Sequence, residues 1–86
     1  MEKMFLFLPM VFVIAPDIDE EICDLIFKNG GAIDDEIDEA TSHFVTNKMP
    51  DNKRENIVYV RPDWIRDCRR NNKLISPFAA RYTPDK

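Results

Sequence analysis

The run MVFVIA at residues 10–15 is the feature that most constrains the fold of this chain. It is continuously apolar and rich in β-branched residues, which is typical of a strand covered on both faces. Such strands belong mainly to parallel sheets, because the crossover connections between parallel strands place helices against the sheet. The run therefore predicts an α/β fold in which a helix follows the first strand.

The next segment, PDIDEEICDLIFKNGG at residues 16–31, has the pattern of that helix. Four apolar residues at helical spacing fall on one face: Ile18, Ile22, Leu25 and Ile26. Asp17 and Glu20 have the spacing of a capping box, which predicts that the helix starts next to Asp17. Gly30 occupies the place where a helix end favours a left-handed residue.

Three more short strands are predicted downstream, at residues 32–34, 42–46 and 56–60. Between the last two strands, Pro50 disfavours a stable helix. Pro62 occupies the favoured first position of a final helix. Strands that alternate with helices in this way predict one parallel α/β sheet.

The size of the chain limits its architecture. A chain of 86 residues normally forms one domain with one core, so we do not expect a deep two-lobed active site. Apolar residues make up 44% of the sequence and charged residues 33%, which is a globular rather than a disordered composition. We expect a single domain over residues 5–84, with flexible ends at residues 1–4 and 85–86.

The cysteines and the apolar N-terminal region bear on location. Cys23 and Cys68 lie far apart and each falls inside a predicted helix, unlike the dense, paired cysteines of secreted proteins. We therefore expect reduced thiols in an intracellular protein. Residues 4–16 lack the cleavage site of a signal peptide and are too few to cross a membrane, so no membrane contact is expected.

The net charge of −4 is unevenly divided along the chain. Residues 1–47 hold eleven acids and two bases, whereas residues 48–86 hold five acids and ten bases. The basic second half can face an anion, although two differently charged solvated surfaces also help to keep a small domain soluble.

Trp64 is the single tryptophan, and it lies on the first turn of the predicted last helix with Cys68 one turn later. A bulky indole at this place can pack down on the sheet, and Cys68 is a small apolar residue beneath it. Both side chains are predicted to belong to the core.

Three segments, GGAIDDEIDEATSHFVT, IVYVRPDWIRDC and NKLISPFAARYTP, together resemble a BRCT domain (breast-cancer-susceptibility C-terminal repeat). Gly30 and Gly31 match the glycine pair that follows the first helix of that family. Trp64 and Cys68 match the W-x-x-x-C signature of its last helix. The resemblance covers residues 7–82 and implies a small protein-interaction module of the kind found in DNA-damage, checkpoint, replication and telomere proteins.

The resemblance also implies a four-stranded parallel sheet of order 2-1-3-4, with helices one and three on one face and a variable second helix on the other. Because of Pro50, we expect that second helix to be short or absent. The family is non-catalytic and needs no cofactor. The residues agree with this, since His43 stands alone inside a strand and the sequence has no metal-ligand spacing or glycine-rich phosphate motif.

Many BRCT domains bind phosphorylated peptides with a hydroxyl and a glycine amide at the end of strand one and a lysine from helix two. In this sequence Ala15 offers no hydroxyl and Pro16 no amide hydrogen. Lys48 stands near the place of the family's lysine, and the hydroxyl of Ser42 or Thr46 is a substitute donor. We predict that the usual phosphopeptide pocket is not used, and a pocket built on Lys48 is the alternative.

Four bases of the predicted last helix form a stripe: Arg66, Arg69, Arg70 and Lys73. A stripe of this kind can bind the phosphates of a nucleic acid. It has no interleaved aromatic residues, and Asp63 and Asp67 on the same helix oppose it, so a solvated surface is the favoured interpretation.

The sequence thus favours a nuclear interaction module that is part of a larger protein or its terminal domain. We expect a protein partner, with another BRCT domain or a second copy of this chain among the options. DNA contact through the last helix is the alternative, and no metal or cofactor is expected.

Overall fold

The structure, a computed structural model, describes residues 5–86. Its elements are β1 (Val11–Ile14), α1 (Glu20–Lys28), β2 (Ala32–Asp34), β3 (His43–Val45), β4 (Val58–Val60), α2 (Pro62–Asn71) and a final 3₁₀ turn (Ala80–Tyr82). The four strands are parallel and lie in the order β2-β1-β3-β4. The predicted fold class and strand order are confirmed.

The register divides the sheet into two faces. Phe12 lies beside His43, and His43 beside Val58, so these side chains share one face, here called the helical face. The core forms on it, where Ile22 and Ile26 of α1 and Trp64 and Ile65 of α2 pack with Phe12. Both helices therefore cover the same side of the sheet.

The opposite face carries Val13, Phe44 and Tyr59, which are neighbours across β1, β3 and β4. The rings of Phe44 and Tyr59 stack with their centroids 5.7 Å apart. The connection at residues 47–57 contains no helix, which agrees with the expected loss of a second helix. Loops, rather than a helix, lie between β3 and β4.

The start of α1 corrects one prediction. The N-cap is Asp19, whose side chain makes no capping hydrogen bond, and Asp17 takes no part in a capping box. The reason is a turn before the helix, in which the amide of Ile18 donates to the carbonyl of Ala15 over 3.1 Å. That turn holds Asp17 outside the first helical residues.

The end of α1 follows the predicted pattern. Gly30 has a φ of 90°, a left-handed conformation that favours glycine. Gly31 is required for a different reason, because a Cβ there would lie 2.6 Å from a methyl group of Ile26. The glycine pair therefore combines a left-handed helix end with a close approach of the chain to α1.

The ends of the chain were expected to be flexible. Residues 1–4 lie outside the described residues. Asp85 contacts the rest of the domain, since its amide donates to the carbonyl of Asn47 over 2.9 Å and its carboxylate pairs with Arg61.

Candidate functional site

The carboxyl ends of β1 and β3 and the start of α2 meet at one edge of the sheet, here called the carboxyl edge. Ala15 follows β1 there, and its amide already donates to the carbonyl of Val45 over 2.9 Å. Pro16 has no amide hydrogen to offer. The two backbone positions that would face a phosphate at this edge therefore present no free donor.

Thr46 and Lys48 lie close together at the carboxyl edge. The hydroxyl of Thr46 donates to the carbonyl of Lys48 over 3.0 Å and lies 3.2 Å from the Lys48 amide, which donates to it. Thr46 is buried, whereas Lys48 is exposed. The hydroxyl thus closes a local turn, and no carboxylate of residues 5–86 lies within ion-pair distance of the Lys48 ammonium group.

Ser42 does not join them. It precedes β3 while Thr46 follows it, which separates the two residues by about 13 Å along an extended strand. The Ser42 hydroxyl accepts a hydrogen bond from the amide of Val11 and donates to its carbonyl, at 3.0 and 3.1 Å. Ser42 therefore joins two strands at the opposite edge of the sheet and is not near Lys48.

The carboxyl edge also contains an acidic cleft of about 300 Å³. Asp17, Asp19 and Asp63 line it together with Arg66, whose guanidinium lies 3.6 Å from Asp19 and 3.3 Å from Asp63. The same guanidinium lies 3.2 Å from Glu21. Three carboxylates and one cation line the cleft, so the local charge opposes a bound phosphate.

This cleft was not predicted from the sequence. Asp17 and Asp63 are far apart along the chain, and only the topology brings the end of β1 and the start of α2 to the same edge. The signal was present in the acidic residues that directly follow a predicted strand, since the carboxyl ends of parallel strands share an edge.

The basic stripe expected on the last helix is divided. Arg66 is engaged by carboxylates, and Arg70 lies 3.5 Å from Asp67. Arg69 donates to the side chain of Asn72 over 3.0 Å. Lys73 lies beyond α2, which ends at Asn71. The expectation that Lys73 lies on the same side of the last helix as Arg66 and Arg70 is therefore wrong.

The helix ends early because Asn72 adopts a left-handed conformation with a φ of 52°. Asparagine tolerates this conformation better than most residues. Arg66 and Arg70 therefore lie on the helix, whereas Lys73 lies after its end.

The W-x-x-x-C signature has a structural role. The Trp64 indole donates to the carbonyl of Ile75 over 2.7 Å, and the Ile75 amide donates to the Cys68 sulfur over 3.4 Å. Both side chains are buried, as predicted, and burial raises the pKa of the Cys68 thiol. Together they bind the segment after α2 to the core.

His43 belongs to the same buried layer. Its ring stacks on Phe12 and on Trp64, with centroids 5.0 and 5.4 Å away. Burial lowers the pKa of His43 to about 4, so its imidazole is neutral at physiological pH. Its Nδ1 lies 2.7 Å from the Ser42 hydroxyl. This environment is that of a core residue.

A buried carboxylate, which the sequence analysis did not identify, connects α2 to the 3₁₀ turn. Asp67 accepts a hydrogen bond from the Tyr82 hydroxyl over 2.7 Å and from Arg81 over 2.9 Å. The hydrogen bond to Asp67 raises the pKa of the Tyr82 phenol. The interaction fixes the C-terminal segment against the helix.

A groove, here called the edge groove, runs beside β4, the outer strand of the sheet. Its volume is about 440 Å³, and its lining includes Met49, Ile57, Tyr59 and Phe78. The Phe78 side chain is 75% exposed. An aromatic ring held largely in water beside the outer edge of a sheet is a feature of binding surfaces.

Within residues 5–86, no cluster of three or more His, Cys, Asp or Glu side chains has the arrangement of a metal site. None of the helices in this part of the chain has both the length and the apolar character needed to span a bilayer.

Comparison with known proteins adds the following. The sequence model of the BRCT domain family matches residues 5–79. No curated protein matches the sequence. The C-terminal BRCT domain of human XRCC1 superposes with a TM-score of 0.78 at 17% identity, covering 87% of this chain and 90% of that one.

Two other solved structures are similar in fold. The BRCT domain of the human DNA repair protein REV1 has a TM-score of 0.70 and 20% identity, over 85% of this chain and 82% of that one. Yeast Rtt107 has a TM-score of 0.73 and 17% identity, over 86% of this chain and 19% of the longer protein. At these identities the similarity is one of fold.

Proposed function

The chain belongs to the BRCT domain family, a family of protein-interaction modules, and on this basis we propose that it binds a protein partner without needing a phosphate at the carboxyl edge. It is a non-catalytic scaffold module. Its partner is a protein of a nuclear DNA-repair, checkpoint, replication or telomere assembly.

The observation that carries the proposal is the chemistry of the carboxyl edge. A phosphate needs several oriented donors or cations around it. Here the amide of Ala15 and the hydroxyl of Thr46 are already engaged, and Pro16 has no amide hydrogen. The acidic cleft beside them carries more carboxylates than cations.

Lys48 alone does not compensate for this. It is exposed, and no carboxylate of the described chain lies within ion-pair distance of it. One exposed ammonium facing one phosphate contributes about 1 kcal/mol or less, because water screens the pair. That is too little to make binding depend on phosphorylation.

The nuclear, DNA-repair setting is supported by the relatives. XRCC1 and REV1 are described as DNA-repair proteins, and the yeast Rtt107 domain has also been solved with Mms22. A protein partner in such an assembly is therefore the partner class proposed for this chain.

Affinity capture from nuclear extract, with and without prior phosphatase treatment, tests the proposal. We expect the immobilised domain to retain the same identified proteins in both extracts, and a Lys48→Met variant to retain them equally. Loss of those proteins after phosphatase treatment, or from the Lys48→Met domain, would overturn it.

A further inference from the structure

The outer edge of β4 offers an unpaired backbone position. The Val58 amide donates to Ser42, and the Val60 carbonyl accepts from Thr46, each over 2.9 Å. In a parallel ladder alternate residues bond to the same neighbour, so Tyr59 directs its amide and carbonyl away from β3. Outside the β3–β4 ladder, no group of residues 5–86 forms a hydrogen bond with either of them.

The ends of this edge are closed. The Ile57 amide donates to the carbonyl of Arg54 over 3.3 Å, and the Arg61 amide donates to the carbonyl of Tyr82 over 2.8 Å. Tyr59 is thus the centre of a short open edge, with a chain segment on either side. The opening has the length of a few residues of an extended peptide.

The walls of the edge groove are mostly apolar. The apolar residues Met49, Ile57, Pro77 and Phe78 are among those that line it. A volume of about 440 Å³ is within the range of small ligand pockets and accommodates a few side chains. The groove is too small for a large flat interface and fits a short segment.

The charged rim of the groove is basic. Lys53 and Arg54 line it against a single acid, Glu55. No carboxylate in the described part of the chain lies within ion-pair distance of either base. The rim therefore complements an acidic residue of a partner, even though the domain as a whole is negatively charged.

We propose that the edge groove binds a short extended segment of a partner protein, which pairs with the open edge of β4 as a fifth strand. The segment combines apolar side chains with an acidic residue. Its backbone bonds to the amide and carbonyl of Tyr59, an apolar side chain packs on Phe78, and its carboxylate faces Lys53 and Arg54. This inference rests on the proposed function and assigns it a surface away from the carboxyl edge.

Selection from a displayed library of random nonamer peptides provides the probe. We expect enriched peptides with alternating apolar residues and an acid. The best peptide, synthesised with blocked ends, should bind Phe78→Ser at least about tenfold more weakly than the parent. Phe27→Ser is the matched control, because Phe27 is equally exposed, at 74%, and lies outside the groove. It should bind the peptide like the parent.

Two measurements separate strand pairing from simple side-chain contact. Peptide binding should slow hydrogen exchange of the Tyr59 amide by about tenfold or more, since that amide becomes hydrogen-bonded. A scan of single backbone N-methylations should find one position that weakens binding by a similar factor, because methylation removes the donor facing the Tyr59 carbonyl.

Three outcomes would overturn the inference: no enriched peptide, equal binding to Phe78→Ser, or unchanged exchange of the Tyr59 amide. Failure here is distinct from failure of the proposed function. If the Phe78→Ser domain still captures the phosphatase-insensitive partners from extract, the interaction module stands and the edge groove is not its binding surface.

Discussion

Trp64 and Cys68 act through a single residue, Ile75, whose carbonyl and amide they bind. The burial of both side chains was predictable, because a bulky indole on the first turn of a helix that directly follows a strand can pack down on the sheet. Their shared partner, Ile75, was not predictable, because Ile75 lies in an irregular segment where the sequence has no helical or strand periodicity. The signature of the last helix therefore fixes a loop as well as a core.

Replacing Trp64 with Ala should destabilise the domain by about 3–5 kcal/mol, because it leaves a cavity and an unbound Ile75 carbonyl. Chemical denaturation measures this, with Phe27→Ala as a control that should change stability by less than about 0.5 kcal/mol. A Trp64→Ala domain within about 1 kcal/mol of the parent would contradict the core assignment.

His43 should make folding sensitive to acid. Its pKa is lowered by burial to about 4 in the folded state, against 6.5 for the ordinary side chain. Between these values the unfolded chain binds a proton that the folded chain does not, so stability falls as pH drops from 6.5 toward 4. The loss attributable to His43 is about 3 kcal/mol at most.

The measurement is the free energy of unfolding at several pH values for the parent and for His43→Gln, which cannot titrate. The difference between the two proteins isolates His43 from the carboxylates. It should shrink steadily as pH falls from 6.5 to 4, and a difference independent of pH would show that the imidazole is not held neutral by burial.

At the scale of elements, α2 is the centre of the fold. It covers the sheet, contacts the acids of α1 through Arg66 and holds the 3₁₀ turn through Asp67. Its start at Pro62 followed from the sequence, because proline at the first position is a local signal. Its end did not, because Asn72 takes the left-handed conformation that ends the helix, and no glycine or proline marks this position in the sequence.

Tyr82→Phe should cost about 1–3 kcal/mol, because it removes a hydrogen bond donated to a buried carboxylate. Arg81→Gln should cost less than about 1 kcal/mol, since Arg81 is 67% exposed and its pair with Asp67 is screened by water. Urea denaturation of the two variants gives the comparison. The reverse order of effects would mean that the ion pair, rather than the phenol, holds the turn.

If α2 bound DNA, the joint change Arg66→Ala, Arg69→Ala and Arg70→Ala would weaken binding for all sequences and flatten the salt dependence by about one unit per lost phosphate contact. We expect no such effect, because Arg66 and Arg70 already face carboxylates. Fluorescence anisotropy with a duplex at low salt tests this. A parent domain that binds DNA and a triple variant that does not would support the DNA alternative.

At the scale of the whole molecule, the surface has two clefts of different character. The carboxyl edge gathers acids from the start of α1 and the start of α2, whereas the edge groove gathers apolar and basic residues from the second half of the chain. The strand order could be predicted from the family resemblance. The two clefts were not predicted, because each is formed by segments that are distant in sequence and meet only in the folded sheet.

The central claim, that partner binding does not depend on phosphate, is tested most directly by isothermal titration with one peptide pair. The peptide is taken from a protein captured in the nuclear extract, and its phosphorylated and unphosphorylated forms are titrated into the same domain. We expect the two dissociation constants to agree within about threefold, a difference below about 1 kcal/mol. A preference of about tenfold or more for the phosphorylated form, abolished by Lys48→Met, would contradict the claim and place a working phosphate site at Lys48.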